Sequence, residues 1–354
     1  MRVKSYLKNR GCFGLLGLGF YEKDGYLARF EVDPDSRWAS GAEGVSRVKK
    51  LIVTADDFGL SLAVNEAVEE AHRRGVLSTA SLMVGARAVR DAVDRARRLA
   101  SLRIGLHLVL VNGTPISPPQ AIPDLVDRKG QFSPHLFRAG FNFFFSPGVR
   151  KQLDKEIRAQ FQAFRSTGLS LDHVNCHNHM QLHPTIGGLI LKVGQEFGLK
   201  AVRYPYEPVL PSWRASRKAL GLKWVSQLFL WPWLALWKKQ LQRARVRSND
   251  FLFGMNDSGD MNPGLVLSFV KNLPPGVTEI YFHPSSRHDP ELERAAKNYR
   301  YQEEFATLIS PALRQALTAS DIQRISFSDL QEFDVQGREI RATPRQTRKI
   351  PPHR

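Results

Sequence analysis

Two rhythms of apolar and polar positions alternate along this chain. The stretch 49–55 (KKLIVTA) is a continuous apolar, β-branched run that predicts a buried strand, and 61–74 carries Leu62, Val64, Ala67, Val68 and Ala71 at helical spacing behind a capping Ser61. The alternation then repeats. Strands are predicted over 79–84, 102–110, 169–175, 201–204, 251–253, 278–282 and 324–327, and helices over 86–100, 147–167, 186–197, 263–272 and 301–319. Strand followed by helix through roughly seven or eight units predicts an α/β fold, a distorted TIM-like β/α barrel rather than a two-domain doubly wound sheet.

The rhythm breaks over 205–247. This insertion holds Trp213, Trp224, Trp231, Trp233 and Trp237, and its apolar centre LKWVSQLFLWPWLALW follows Arg214, Arg217 and Lys218 and precedes Lys238, Lys239, Arg243, Arg245 and Arg247. The centre is too short and too interrupted by Pro232 for a transmembrane span. Tryptophan and leucine beside cations compose an interfacial helix, although an aromatic stripe packed as core has the same composition. The segment 1–48 has no dependable periodicity. Its basic start and the apolar run 11–20 imitate a signal peptide without a small-residue cleavage site, so an irregular N-terminal extension is expected. The barrel is expected over 49–335, followed by a basic, proline-bearing tail, 336–354, with the composition of disorder.

Charge narrows the partners. Among 354 residues, 51 Lys+Arg against 34 Asp+Glu give +17, which suits an acidic lipid surface, a phosphorylated substrate or nucleic acid. No zinc-finger spacing, RNA-recognition signature or basic helix with interleaved aromatics is present, so the reading turns away from nucleic acid. Two cysteines, Cys12 and Cys176, cannot make a disulfide framework and fit a reduced, cytoplasmic compartment.

The strands end in chemistry: Asp56 and Asp57, His107, His177 and His179, and His283. A parallel barrel gathers strand ends on one face, so Asp57, His107 and His177 could form a three-ligand site for a divalent metal, Zn²⁺ or another. Asp56 then serves as general base and His283 as general acid. Alternation along a strand points Asp56 and Asp57 to opposite sides, giving them different roles. Each residue also has a plainer reading taken singly: a satisfied core histidine at 107, a helix cap and a turn acid at 56 and 57, a polar loop in CHNHMQLH. Nothing near Cys176 marks it for activation.

The segments ADDFGLS, GLHLVLVNGTPI, HVNCHNHMQLHP and EIYFHP resemble the YdjC-like carbohydrate deacetylases, from about Lys49 to Leu330. VRYPYEP, SNDFLFGMNDSG and the Trp-rich insertion further resemble the hopanoid biosynthesis-associated (HpnK-type) branch. The resemblance implies a glycoside hydrolase/deacetylase-type barrel, one divalent metal ion (Mg or Zn) on Asp57, His107 and His177, and Asp56 as base. It also implies hydrolysis of an N-acetyl group on an N-acetylglucosamine-type sugar, on a lipid-linked hopanoid glycoside, with His179, Asn175 and Arg203 toward the substrate. Expected partners are that sugar, a peripheral contact with the inner face of the membrane through 205–247, and no nucleic acid; a homodimer is compatible. Where the family commonly reads HxDxHxHxH, this chain has Asn175 for the aspartate and Gln181 for the last histidine, which weakens any tuning of His177. Three other functions stay open: a catalytically weak sugar or lipid-binding protein on the same fold, a deacetylase of soluble chitooligosaccharides, and a metal phosphoesterase suggested by charge alone.

Overall fold

The computed structural model describes residues 48–133 and 146–332. The expected tail, Cys12 and all but the last residue of the N-terminal extension lie outside them.

Apolar runs become a parallel sheet: β1 (Lys49–Phe58), β2 (Thr79–Leu82), β3 (Arg103–Leu108), β4 (Leu171–Cys176), β5 (Phe251–Phe253), β6 (Gly276–Phe282) and β7 (Ile322–Arg324). Its order is β4-β3-β2-β1-β6-β5, with β7 paired to the first residues of β1. Between strands run α1 (Leu62–Arg74), α2 (Val89–Arg98), α3 (Pro147–Ser166), α4 (Pro184–Glu196), α5 (Val209–Ser216), α6 (Leu220–Ala244), α7 (Pro263–Lys271), α8 (Pro290–Ala295), α9 (Tyr301–Leu308) and α10 (Pro311–Thr318). The two sheet edges approach each other through short links. Val174 bridges to Val202, Ala201 bridges to Arg247, and the Leu252 amide donates to the Tyr206 carbonyl at 2.8 Å. The strands therefore curl into a distorted barrel whose carboxyl ends share one mouth, the arrangement the βα rhythm predicted.

Several predicted elements shift for physical reasons. β1 runs on to Phe58, so both aspartates belong to the strand rather than to the turn after it. The predicted strand at 201–204 is reduced to the bridges at Ala201 and Val202. The last strand falls at 322–324, earlier than the 324–327 expected. The single helix expected over 301–319 is two, because Pro311 cannot continue α9 and instead starts α10 behind a Ser310 cap.

The insertion is helical, and Pro232 sits inside an unbroken α6. Tryptophan takes both of the alternatives open in the sequence. Trp237 is fully buried with Leu234 and Leu241, each burial worth roughly 1.5–3 kcal/mol. Trp224, Val225, Leu228, Phe229, Trp231 and Leu236 are exposed. Over the first half of α6 the usual polarity is inverted, since Lys223 is buried and Ser226 and Gln227 are half-buried while the outward stripe is apolar. Among the described residues, no helix is long and apolar enough to cross a membrane.

Candidate active site

Alternation alone would part Asp56 from Asp57, but Asp57 has φ 62°. That left-handed turn, which aspartate accepts at a cost of about 1 kcal/mol, swings its carboxylate back so that both acids line one cavity of about 480 Å³ at the barrel mouth. A second strained turn sits opposite. Asn178 (φ 55°) and His179 (φ 53°) are consecutive left-handed residues, and they send His177 toward Asp57 and His179 toward Tyr281. His179 Nε2 lies 3.1 Å from the Tyr281 hydroxyl, and burial pushes its imidazole down to about 3.

Asp57 Oδ1, His107 Nε2 and His177 Nδ1 converge. The oxygen is 3.2 Å from His107 Nε2 and 3.4 Å from His177 Nδ1, the two nitrogens are 3.3 Å apart, and all three could face one cation. Oδ1 is buried, yet no donor is aimed at it. Three lone-pair atoms crowded around an unsatisfied buried oxygen fit a divalent ion, and one oxygen with two imidazoles suits zinc as well as harder metals. Burial opposes charge on Asp57, but positive charge on the two imidazoles, or on a cation between them, outweighs it and holds its carboxyl well below the usual range. Burial likewise opposes a charged His107, yet Asp56 and Asp57 push that imidazole up.

Asp56 occupies a different setting. Arg203, fully buried in the barrel, donates Nη1 to Asp56 Oδ2 at 2.5 Å and Nη2 to Oδ1 at 3.0 Å, and its Nε and Nη2 also bond Glu279 at 3.0 and 2.7 Å. Its guanidinium also lies over the Tyr281 ring, 4.6 Å from the centroid. Burial would raise the Asp56 pKa, but Arg203 overrides it and keeps the acid ionised. Counted formally, Asp56, Asp57 and Glu279 against Arg203 leave two negative charges, the complement of a divalent cation. Asn175 donates Nδ2 to Asp56 Oδ1 at 3.0 Å and accepts from His107 Nδ1 at 2.7 Å. The sequence connected Asn175 with His177; its neutral amide serves His107 and Asp56 instead, where a carboxylate would face Asp56 with like charge. Arg203 and Asn175 thus lie beneath the reacting acids, holding Asp56.

His283 follows β6 and lines the cavity beside Tyr281 and Tyr299. Burial lowers its pKa, and its backbone N–H donates to Glu304 Oε2 at 2.5 Å. Cys176 is buried with its thiol pushed up by desolvation, which removes it as a nucleophile. Gln181 is buried and does not line the cavity. Sequence reasoning missed Glu279 and Glu304. Glu279 had a signal, a lone charge inside the apolar run TEIYF; Glu304 had none, because an acid in a helix's first turn is ordinary. The far wall of the cavity is α6, through Leu222, Ser226, Phe229 and Leu230, with the Lys223–Asp257 ion pair (2.9 Å) beside them.

Known proteins resemble this chain over most of its length. A family model described as YdjC-like protein matches residues 50–319. A carbohydrate deacetylase from Brevibacillus brevis is 31% identical over 282 residues, covering 79% of this chain and 99% of that protein. A carbohydrate deacetylase from Vibrio vulnificus is 34% identical over 282 residues, covering 79% and 96% respectively. A crystal structure from Enterococcus faecalis V583, provisionally assigned to cellobiose-phosphate cleavage, superposes with a TM-score of 0.62 at 25% identity, over 80% of this chain and 99% of that one. With three-quarters of its length under the family model and its strand-end acids and histidines drawn into one mouth, the chain belongs to the YdjC-like family.

Proposed function

We propose that the protein is a metal-dependent carbohydrate deacetylase that hydrolyses the N-acetyl group of an N-acetylglucosamine-type sugar. The observation that carries this is the convergence of Asp57, His107 and His177 beside an ionised Asp56, and the activity named for the relatives supports it. A divalent ion held by the three ligands would polarise the acetyl carbonyl and acidify water. Asp56, held by Arg203 and Asn175 at the cavity wall, accepts the proton of the water that attacks the carbonyl carbon. Arg203 keeps Asp56 ionised at rest and lowers its basicity, so the proton it accepts is held only briefly. The proton taken up by Asp56 returns through His283, whose imidazole burial keeps free to carry it, to the nitrogen as the C–N bond breaks, and acetate and the free amine leave.

The finer part of the reading is a lipid-linked substrate, as in the hopanoid-associated branch, met by a protein resting on the inner face of the membrane. The support is α6: its inner face walls the cavity, its outer stripe is apolar, and Lys239, Arg243 and Arg245 follow that stripe as exposed cations. Acetate release from an N-acetylglucosaminyl glycolipid and from free chitobiose, with metal and after chelation, tests both parts. Release that survives chelation refutes the metal role, and equal turnover of both substrates refutes the lipid preference.

A further inference from the structure

From Asn175, which holds Asp56, a row of buried polar side chains runs through the barrel, and the rest of it has no part in the proposed reaction. Asp172, His173, Ser81 and Asn175 are all buried, His173 and Ser81 completely. Their donors and acceptors can be assigned from the end where chemistry leaves no choice. An ionised Asp172 only accepts: Oδ1 takes the N–H and O–H of Ser328 at 2.8 and 2.5 Å, and Oδ2 takes Nδ1–H of His173 at 2.9 Å. With its ring proton directed at Asp172, His173 presents a lone pair at Nε2, so the Ser81 hydroxyl donates there, at 3.1 Å. Ser81 Oγ in turn accepts from Asn175 Nδ2 at 2.9 Å. A proton on His173 Nε2 instead would make Ser81 accept twice and cost its own proton the His173 acceptor in a fully buried site.

The Asn175 amide is thereby oriented, nitrogen toward Ser81 and Asp56, carbonyl toward His107. His107 must then carry its proton on Nδ1, 2.7 Å from that carbonyl, which bares Nε2 toward Asp57 and His177. Space for the row is built in. A Cβ at Gly105, in the middle of β3, would come 2.4 Å from the His173 ring, and on its other side the ring stacks on Phe327 at 4.3 Å between centroids. A glycine inside a strand costs stability, and here it leaves room for a buried histidine where an apolar side chain would pack without desolvation.

We propose that Asp172, His173 and Ser81 are positioning residues, a buried relay that orients the Asn175 amide, fixes the tautomer of His107 and so sets the affinity of the metal site. This rests on the metal reading above. The test is titration of the metal-stripped full-length protein with Co²⁺, followed by calorimetry and by the visible absorption of the bound ion. Ser81→Ala and His173→Leu should each bind Co²⁺ about 10- to 100-fold more weakly and change its absorption bands; metal-free Ser81→Ala should melt close to wild type, while the leucine variant, which strips the buried Asp172 of a donor, should melt lower. His173→Gln, whose side-chain carbonyl can still accept from Ser81, should recover most of the affinity. Co²⁺ binding by Ser81→Ala and His173→Leu within about two-fold of wild type, or a glutamine variant no better than the leucine one, overturns the relay and leaves the metal site standing. A wild-type protein that takes up no Co²⁺ overturns both.

Discussion

Glu304 offers a test of the site's electrostatics that needs neither substrate nor metal. It is fully buried on α9, where Oε2 accepts the His283 N–H at 2.5 Å and Oε1 accepts the Met261 N–H at 3.3 Å. Burial pushes its carboxyl from an ordinary 4.5 up to about 8. The unfolded chain releases this proton near 4.5 whereas the folded protein keeps it to about 8, so between those values the unfolded state binds fewer protons and stability falls as pH rises. The contribution is complete below the unfolded value and lost on passing through the folded one. At about 1.4 kcal/mol per pH unit the ceiling is about 5 kcal/mol, and relaxation around the buried charge brings the expected effect to about 2–3 kcal/mol. Glu304→Gln removes the titration and keeps one of the two acceptor contacts, a loss that is the same at both pH values and so drops out of the comparison. Urea unfolding of the metal-free proteins at pH 5 and pH 9 should find the variant gaining on wild type by that amount at the higher pH, while other titrating groups cancel in the comparison. A difference between the two proteins that changes by less than about 0.5 kcal/mol over this range would refute the reasoning.

Three further outcomes are expected. His107→Ala should lose most of its metal in elemental analysis after loading and dialysis, and unchanged content would mean the ligand set is wrong. Asp56→Asn should lower turnover about 10²- to 10⁴-fold. It should also destabilise the fold, because Arg203 keeps only Glu279 and a broken buried ion pair costs about 3–5 kcal/mol; urea melts and kcat measured on one preparation check both. Replacing Trp224, Leu228 and Trp231 together by serine should abolish binding to anionic vesicles and spare turnover of a soluble N-acetyl sugar, since these residues are exposed and do not line the cavity. Equal loss of both activities would return the stripe to a structural role.

What was legible in the sequence is what depends on local pattern. The βα rhythm and the strand-end positions of Asp57, His107, His177 and His283 follow from periodicity, and a parallel barrel then has little freedom about where those ends meet. What was not legible depends on conformations that pattern does not encode. Left-handed φ at Asp57, Asn178 and His179 decides which way each side chain faces, and no glycine marks those positions. Arg203 read as a substrate contact, although it is the buried counter-charge between Asp56 and Glu279. Asn175 read as a loss, because comparison with a motif scores identity rather than environment.

The insertion shows the same limit from the other side. A helix in a folded protein is expected to turn its apolar face inward, and by that rule Lys223, Ser226 and Gln227 should face solvent while Trp224, Leu228 and Trp231 face the barrel. The arrangement is reversed, and the contacts of Lys223 say why: its ammonium donates to Asp257 at 2.9 Å and to Ser212 at 2.6 Å, and Ser212 in turn donates to the buried Glu207 at 2.5 Å. Glu207 also accepts the Met255 and Asn256 amides at 2.8 and 2.9 Å, so the inner face of α6 is tied to the loop that walls the cavity opposite it. A buried lysine is retained only where its charge is paired, and an exposed run of tryptophan and leucine is stable only where something apolar covers it. Past Leu236 the outward positions turn cationic at Lys239 and Arg243, and Phe229 belongs both to the apolar stripe and to the cavity wall. Phe229 therefore joins the outer apolar stripe of α6 to the cavity wall, and the lipid-carried sugar proposed above would enter the barrel mouth along that junction.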